Sequence, residues 1–110
     1  MRLPNRKNAF VPPAKLSDYL LSETHAVGKS KSRFFRSIGF NEATIAHLEE
    51  GLLKIAKMEP VVAVSRSPDG VKYVVDGHIE SPTGEGARVG TVWIVEAGIE
   101  PPRLVTAYPI

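Results

Sequence analysis

The fold is decided by residues 59–70, EPVVAVSRSPDG, where a helical pattern gives way to a strand and then to a turn. Glu59 precedes a proline and is therefore pushed out of the helical conformation. Residues 61–65 are rich in valine, and residues 67–70 are a turn signal, because proline presets one backbone angle and glycine accepts a left-handed one. The stretch therefore predicts the end of a helical half and the first hairpin of a sheet.

The strand pattern continues toward the C-terminus. Residues 71–79 return antiparallel to the first strand, a glycine-rich turn at 82–86 leads into residues 87–96, and residues 98–102 turn the chain into residues 103–108. Since each strand follows the previous one through a short turn, the four are predicted to form an antiparallel meander.

Toward the N-terminus, apolar residues recur at helical spacing in three segments. One helix starts after Pro13 and ends near Ser22, a second runs from about Ser30 to Gly39, and a third is capped by Asn41. Two or three helices packed on one face of a four-stranded antiparallel sheet make an α+β fold. Its other face is left partly available.

Composition favours one compact domain over residues 1–110, in which residues 1–12, with two prolines at 4 and 12, form a loose arm. The chain has no cysteine and three scattered histidines, so we expect neither a disulfide nor a metal centre, and no cofactor. No apolar run reaches the length of a membrane span or a secretion signal, so a cytoplasmic location is the default expectation and no membrane partner is expected. The oligomeric state is left open.

The two halves of the chain carry opposite charge. Residues 1–58 hold ten Lys and Arg against five Asp and Glu, whereas residues 59–110 hold four against seven. Four of the cations, Lys29, Lys31, Arg33 and Arg36, fall within eight residues. Such a cluster is typical of an RNA-binding surface, and an ordinary solvated helix face is the alternative interpretation.

The segment 25–31, HAVGKSK, carries the most specific chemistry. His25 is a candidate acid or base because its charge changes near neutral pH. Gly28 allows the backbone to approach an anion, and Lys29 and Lys31 are candidates for holding a phosphate at a helix start. A structural role for His25 in bracing its loop is the alternative.

Several motifs resemble a family of small bacterial domains of unknown function, which occur as stand-alone proteins and as tail domains of toxin-like proteins. The resemblance covers nearly the whole chain and rests on these segments: 3–5 (LPN), 25–28 (HAVG), 31–35 (KSRFF), 39–40 (GF), 70–73 (GVKY), 91–94 (TVWI) and 102–109 (PRLVTAYP). It implies a toxin-like context, with a cognate antitoxin or immunity protein as the expected partner.

The order of helices followed by four strands also resembles the metal-independent ribonuclease superfamily that includes barnase, the colicin tRNases and toxins of the RelE type. This second likeness is one of topology. It implies RNA as the substrate and a site on the open sheet face built from histidine, lysine, arginine, threonine and tyrosine side chains.

RNA cleavage without a metal needs a base, an acid and cations that stabilise the phosphorus transition state. In the C-terminal half, Arg88 offers a fork that matches phosphate oxygens, and Tyr108 and Thr106 are candidate hydrogen-bond donors. Strand parity puts Arg88 and Thr91 on opposite faces unless Gly90 forms a bulge, so Arg88, Thr106 and Tyr108 are favoured over Thr91. The predicted catalytic residues are His25, Lys31, Arg88 and Tyr108, and the predicted substrate-binding residues are Gly28, Lys29 and Thr106.

Two classes of function fit these patterns. One is a ribonuclease toxin that a cognate antitoxin or immunity protein neutralises. The alternative is a non-catalytic protein-binding module, such as an assembly, inhibitor or antitoxin-like domain. In that case the aromatic residues, Tyr108 included, belong to packing.

Overall fold

The computed structural model describes residues 1–24, 29–97 and 101–110. Helices come first and a sheet follows, so the predicted α+β fold is confirmed. The helices are α1 (Pro13–Lys15), which continues as a π-helical segment at Leu16–Leu20, α2 (Lys29–Ser37) and α3 (Ile45–Met58), with short 3-10 turns at Arg6–Asn8 and Glu42–Thr44. The strands are β1 (Val61–Ser67), β2 (Gly70–Glu80), β3 (Gly86–Glu96) and β4 (Arg103–Pro109).

The sheet has the predicted meander order, β1-β2-β3-β4, and each neighbouring pair is antiparallel. Its core lies between the helices and one sheet face, where Trp93, Phe35 and Leu48 are fully buried. Burial of apolar side chains on this face is the main stabilising contribution, because the chain has neither a disulfide nor any cysteine to form one.

Helix α3 packs closely on β2 through two glycines. A Cβ at Gly51 would lie 2.7 Å from Cγ1 of Ile79, and a Cβ at Gly77 would lie 2.9 Å from Cγ1 of Ile55. Each isoleucine therefore fills the space that a side chain on the opposite element would need. This approach fixes α3 on the covered side of the sheet.

The helix boundaries follow the predicted capping residues. Gly39 has φ +104°, and the amide of Phe40 donates to the carbonyl of Phe35 at 3.0 Å, which closes α2 with a left-handed cap. Asn41 and Thr44 form a reciprocal capping box before α3.

The N-terminal segment is packed, so the expectation of a loose arm is wrong. Leu3 and Val11 are buried at 0% and 4% exposure. The amide of Phe10 donates to the carbonyl of Pro102 at 3.0 Å, and the carbonyl of Phe10 accepts from the amide of Leu104 at 3.1 Å. Prolines exclude a helix here, but they leave an extended chain free to pair with the start of β4.

Candidate functional site

One face of the sheet packs against helices, and no helix in the described part of the chain covers the other. Along β2, Val75 and Ile79 point into the core, whereas Lys72, His78 and Glu80 are exposed on the opposite side. We call that side, which carries Lys72, His78 and Glu80, the open face. Side chains alternate along a strand, so the pairing register gives the other residues that share this face.

Arg88 lies on the open face, directly opposite His78, and both residues are exposed. Directly opposed residues of an antiparallel pair have Cβ atoms about 4.5–5.5 Å apart, so the guanidinium and the imidazole leave the sheet from neighbouring points. Within residues 1–24, 29–97 and 101–110, the Arg88 guanidinium has no hydrogen-bond or ion-pair partner. It is therefore available to an anionic ligand.

Tyr108 lies in the next row of the open face. It is opposite Gly90, which is opposite Asp76 on the other side. A Cβ at Gly90 would lie 2.6 Å from Cε2 of Tyr108 and 2.9 Å from its hydroxyl oxygen, so the phenol ring lies across the glycine. Since Gly90 is two residues from Arg88 on the same strand, the phenol and the guanidinium occupy adjacent rows of one face.

A group of polar side chains joins the helical layer to β4, and we call it the Tyr19 cluster: Lys15, Tyr19, Lys31 and Thr106. The hydroxyl oxygens of Tyr19 and Thr106 are 3.0 Å apart. The Nζ atoms of Lys15 and Lys31 lie 4.8 and 5.8 Å from the centre of the Tyr19 ring. Two ammonium groups beside two hydroxyls make this edge of the sheet attractive to an anion.

Thr91 and Arg88 lie on opposite faces of the sheet, as strand parity predicted. The Thr91 side chain is fully buried in the core, where it donates to the carbonyl of Val75 at 2.7 Å and accepts from Nε1 of Trp93 at 2.7 Å. The β2–β3 register is unbroken at Gly90. An irregularity occurs instead between β3 and β4, where the register shifts after Val92.

Helix α2 does not present all its cations to solvent. The Arg36 guanidinium donates to the carbonyl of Leu21 at 2.7 Å and to both carboxylate oxygens of Glu42, and it lies 3.4 Å from Glu23. Arg36 therefore ties α2 to the segment after α1 and to the start of α3, and it is not free for RNA.

This tie predicts a pH dependence. Hydrogen bonding to Arg36 holds the pKa of the Glu42 carboxyl below its usual value of 4.5 and raises the pKa of Arg36. A lowered folded-state pKa stabilises the protein above the unfolded-state value, and this contribution is lost as the pH falls through the folded-state pKa. We expect Glu42→Gln to reduce the loss of stability at acid pH, because the variant has no carboxyl to protonate. The measurement compares denaturation midpoints at about pH 7 and about pH 3.

Glu85→Gln is the matched control for this pH dependence, because Glu85 is exposed in the turn between β2 and β3. Its curve should follow that of the unmodified chain. Identical acid limbs for all three proteins would contradict the stabilising role of the pair.

The structure brings together part of the predicted site. Lys31 lies beside the Tyr19 ring, and the Tyr19 hydroxyl is within hydrogen-bond distance of Thr106. Thr106 shares the open face with Tyr108 and Arg88. These side chains extend from the outer edge of β4 toward β3.

The other predicted residues do not join this group. Lys29 is exposed in the first turn of α2 and lines a pocket with Glu23 and Arg33. Residues two apart on a helix face different directions, so Lys29 and Lys31 lie on different parts of the surface. His25 and Gly28 lie outside the described residues.

Two residues of this surface were not predicted. Neither His78 nor Tyr19 was assigned to the site from the sequence. The hairpin around residues 81–85 is a partial signal for His78, because only the exact register of that hairpin places it opposite Arg88. No local signal identifies Tyr19, because its hydroxyl partner is 87 residues away.

In the described ranges, no group of three or more His, Asp or Glu side chains is arranged to hold a metal ion. Nor does any helix in these ranges have the length and apolar character needed to cross a membrane.

The chain belongs to the family described as Domain of unknown function (DUF6883), whose model matches residues 2–110. Among solved structures, it is similar to a chain of a contact-dependent growth inhibition toxin–immunity protein complex from Klebsiella pneumoniae 342, with a TM-score of 0.72 and 16% identity over 96% of each chain. No curated protein matches. At this identity the likeness shows a shared fold.

Proposed function

We propose that this member of the DUF6883 family is an RNA-cleaving toxin domain that acts by metal-independent acid–base phosphoryl transfer and is neutralised by a cognate immunity protein. The observation that carries the proposal is the continuous polar track on the open face, from the Tyr19 cluster through Tyr108 to Arg88 and His78. The shared fold with a chain of a toxin–immunity complex supports the toxin context.

In the proposed reaction, a base removes the proton from a ribose 2′-hydroxyl, and its oxygen attacks the adjacent phosphorus. The bond from phosphorus to the 5′-oxygen breaks, an acid protonates that oxygen, and a 2′,3′-cyclic phosphate remains. The histidines His25 and His78 are the candidates for base and acid. Arg88, Lys31 and the Tyr108 hydroxyl would stabilise charge on the phosphate oxygens.

The test is incubation of the purified chain with total RNA in excess chelator. We expect cleavage to persist and to leave 2′,3′-cyclic phosphate ends. Each of His25→Ala and His78→Ala should lower the rate about a hundredfold or more, which is the usual contribution of a general acid or base.

Arg66→Ala is the control, since it removes an exposed charged side chain from β1 and Arg66 does not line the pocket that contains His78. It should retain nearly the full rate. Absence of RNA cleavage at any protein concentration, or loss of cleavage with chelator, would refute the proposal.

A non-catalytic binding module is the second candidate, and a specific feature of β2 favours it. Pairing with β1 stops at Val75, whereas β2 continues to Glu80, so this end of β2 pairs with β3 but not with β1. An open strand edge of this kind accepts an extended segment of a partner protein. The same edge would serve an immunity protein, so only the RNA assay separates the two functions.

A further inference from the structure

The pocket beside Lys29 lies on α2, away from the open face, and we call it the α2 pocket. It has a volume of about 200 Å³ and is lined by Glu23, Lys29, Ser32, Arg33 and Arg36. Three of its five lining residues are cations, and they lie in the first turn (Lys29), the middle (Arg33) and the last turn (Arg36) of the nine-residue helix α2. The helix start adds the positive end of the backbone dipole.

Ser32 is the residue that distinguishes this pocket from an ordinary basic surface. Its side chain is 1% exposed, and its hydroxyl has no hydrogen-bond partner among the residues that the structure describes. A buried hydroxyl without a partner has lost its hydrogen bonds to water and gained none in return, so such groups are uncommon in folded proteins. The unfavourable burial is relieved when a ligand in the pocket accepts a hydrogen bond from the hydroxyl.

The charges of the pocket indicate the class of ligand. Arg36 is paired with Glu42 and also lies beside Glu23, so these three groups together carry one negative charge. Lys29 and Arg33 have no ion-pair partner in the described part of the chain. The pocket therefore has a net positive charge and offers two cations without ion-pair partners and a hydroxyl donor.

We infer that the α2 pocket binds a terminal phosphate group. A phosphate monoester carries a charge of about −1.5 to −2 at neutral pH and three acceptor oxygens, which matches the two free cations and the Ser32 hydroxyl. Arg33 would supply parallel N–H donors, and Lys29 would act as a point charge. This binding does not require catalysis, so it stands or falls separately from the proposed function.

Titration with inorganic phosphate, followed by backbone amide NMR signals, tests the inference. We expect saturable shifts at residues 29–36, and Ser32→Ala and Arg33→Ala should each weaken binding about tenfold, since a hydrogen bond to a charged group has that magnitude. Arg66→Ala is the matched control, because it removes an exposed guanidinium from β1 and should leave binding unchanged.

A dinucleotide with a 5′-phosphate and the same dinucleotide without it distinguish a terminal phosphate from the internal phosphodiester. We expect tighter binding of the phosphorylated form, and equal binding of the two would overturn the inference. Thermal denaturation gives an independent readout: Ser32→Ala should not lower the melting temperature of the free protein, since it removes an unsatisfied hydroxyl. A less stable Ser32→Ala protein, or no shifts at residues 29–36 in millimolar phosphate, would also refute the inference.

Discussion

Replacing Trp93 by alanine is expected to lower the free energy of unfolding by about 3–5 kcal/mol, the usual cost of removing a large buried aromatic side chain. Trp93 is fully buried in β3, and its indole donates to Thr91 at 2.7 Å. Thr91 in turn donates to the carbonyl of Val75. The substitution would leave a cavity and remove one member of a buried hydrogen-bond chain that links two strands.

Domains of this size are commonly stable by about 5–15 kcal/mol, so the Trp93→Ala protein should be largely destabilised or unfolded. The measurement is urea denaturation followed by far-UV circular dichroism, because Trp93 is the single tryptophan and its fluorescence disappears with it. Trp93→Phe keeps most of the ring volume and loses the indole N–H, so it should cost about 1–2 kcal/mol. An alanine variant within about 1 kcal/mol of the unmodified chain would contradict this account of the core.

Most of the fold follows from local sequence signals. The helix ends before Pro60, the hairpin turn lies at residues 67–70, and Gly39 and Asn41 cap their helices as predicted. These features depend on the backbone preferences of one to four neighbouring residues, which a single sequence displays directly. The packing of the first twelve residues depends instead on partners in α3 and β4, far along the chain. The proline content of this segment therefore led to the wrong expectation of a loose arm.

The candidate site divides in the same way. Strand parity predicted that Arg88 and Thr91 lie on opposite faces, and the structure has Arg88 exposed and Thr91 buried, because parity is a local property. The contact of Lys31 with Tyr19, and of Tyr19 with Thr106, required the three-dimensional arrangement of α1, α2 and β4.

His78 was missed for a related reason. Its position opposite Arg88 depends on the exact register of the β2–β3 hairpin, and a shift of one residue would have placed it on the other face. The turn residues of the sequence mark only the approximate position of the hairpin, which is not sufficient to fix that register.

Arg88→Ala is expected to reduce RNA cleavage about a hundredfold to a thousandfold, if the open face stabilises the phosphorus transition state as proposed. The guanidinium is exposed, lies opposite His78 and is one row from the Tyr108 ring. Its removal creates no cavity and breaks no described side-chain contact, so the free energy of unfolding should change by less than about 0.5 kcal/mol. Loss of activity would then report on chemistry and not on folding.

Arg88→Lys separates charge from geometry. An ammonium keeps the positive charge but loses the planar fork that donates two parallel hydrogen bonds to a phosphate. We therefore expect it to recover only a small part of the lost rate, whereas Arg66→Ala, which removes an exposed guanidinium from β1, should be nearly as active as the unmodified chain. Single-turnover rates on a defined RNA, with denaturation curves for each variant, provide the comparison. Near-complete activity of Arg88→Lys would show that Arg88 acts only as a point charge, and near-complete activity of Arg88→Ala would remove the open face as the catalytic surface, because no other cation lies opposite His78 in the described register.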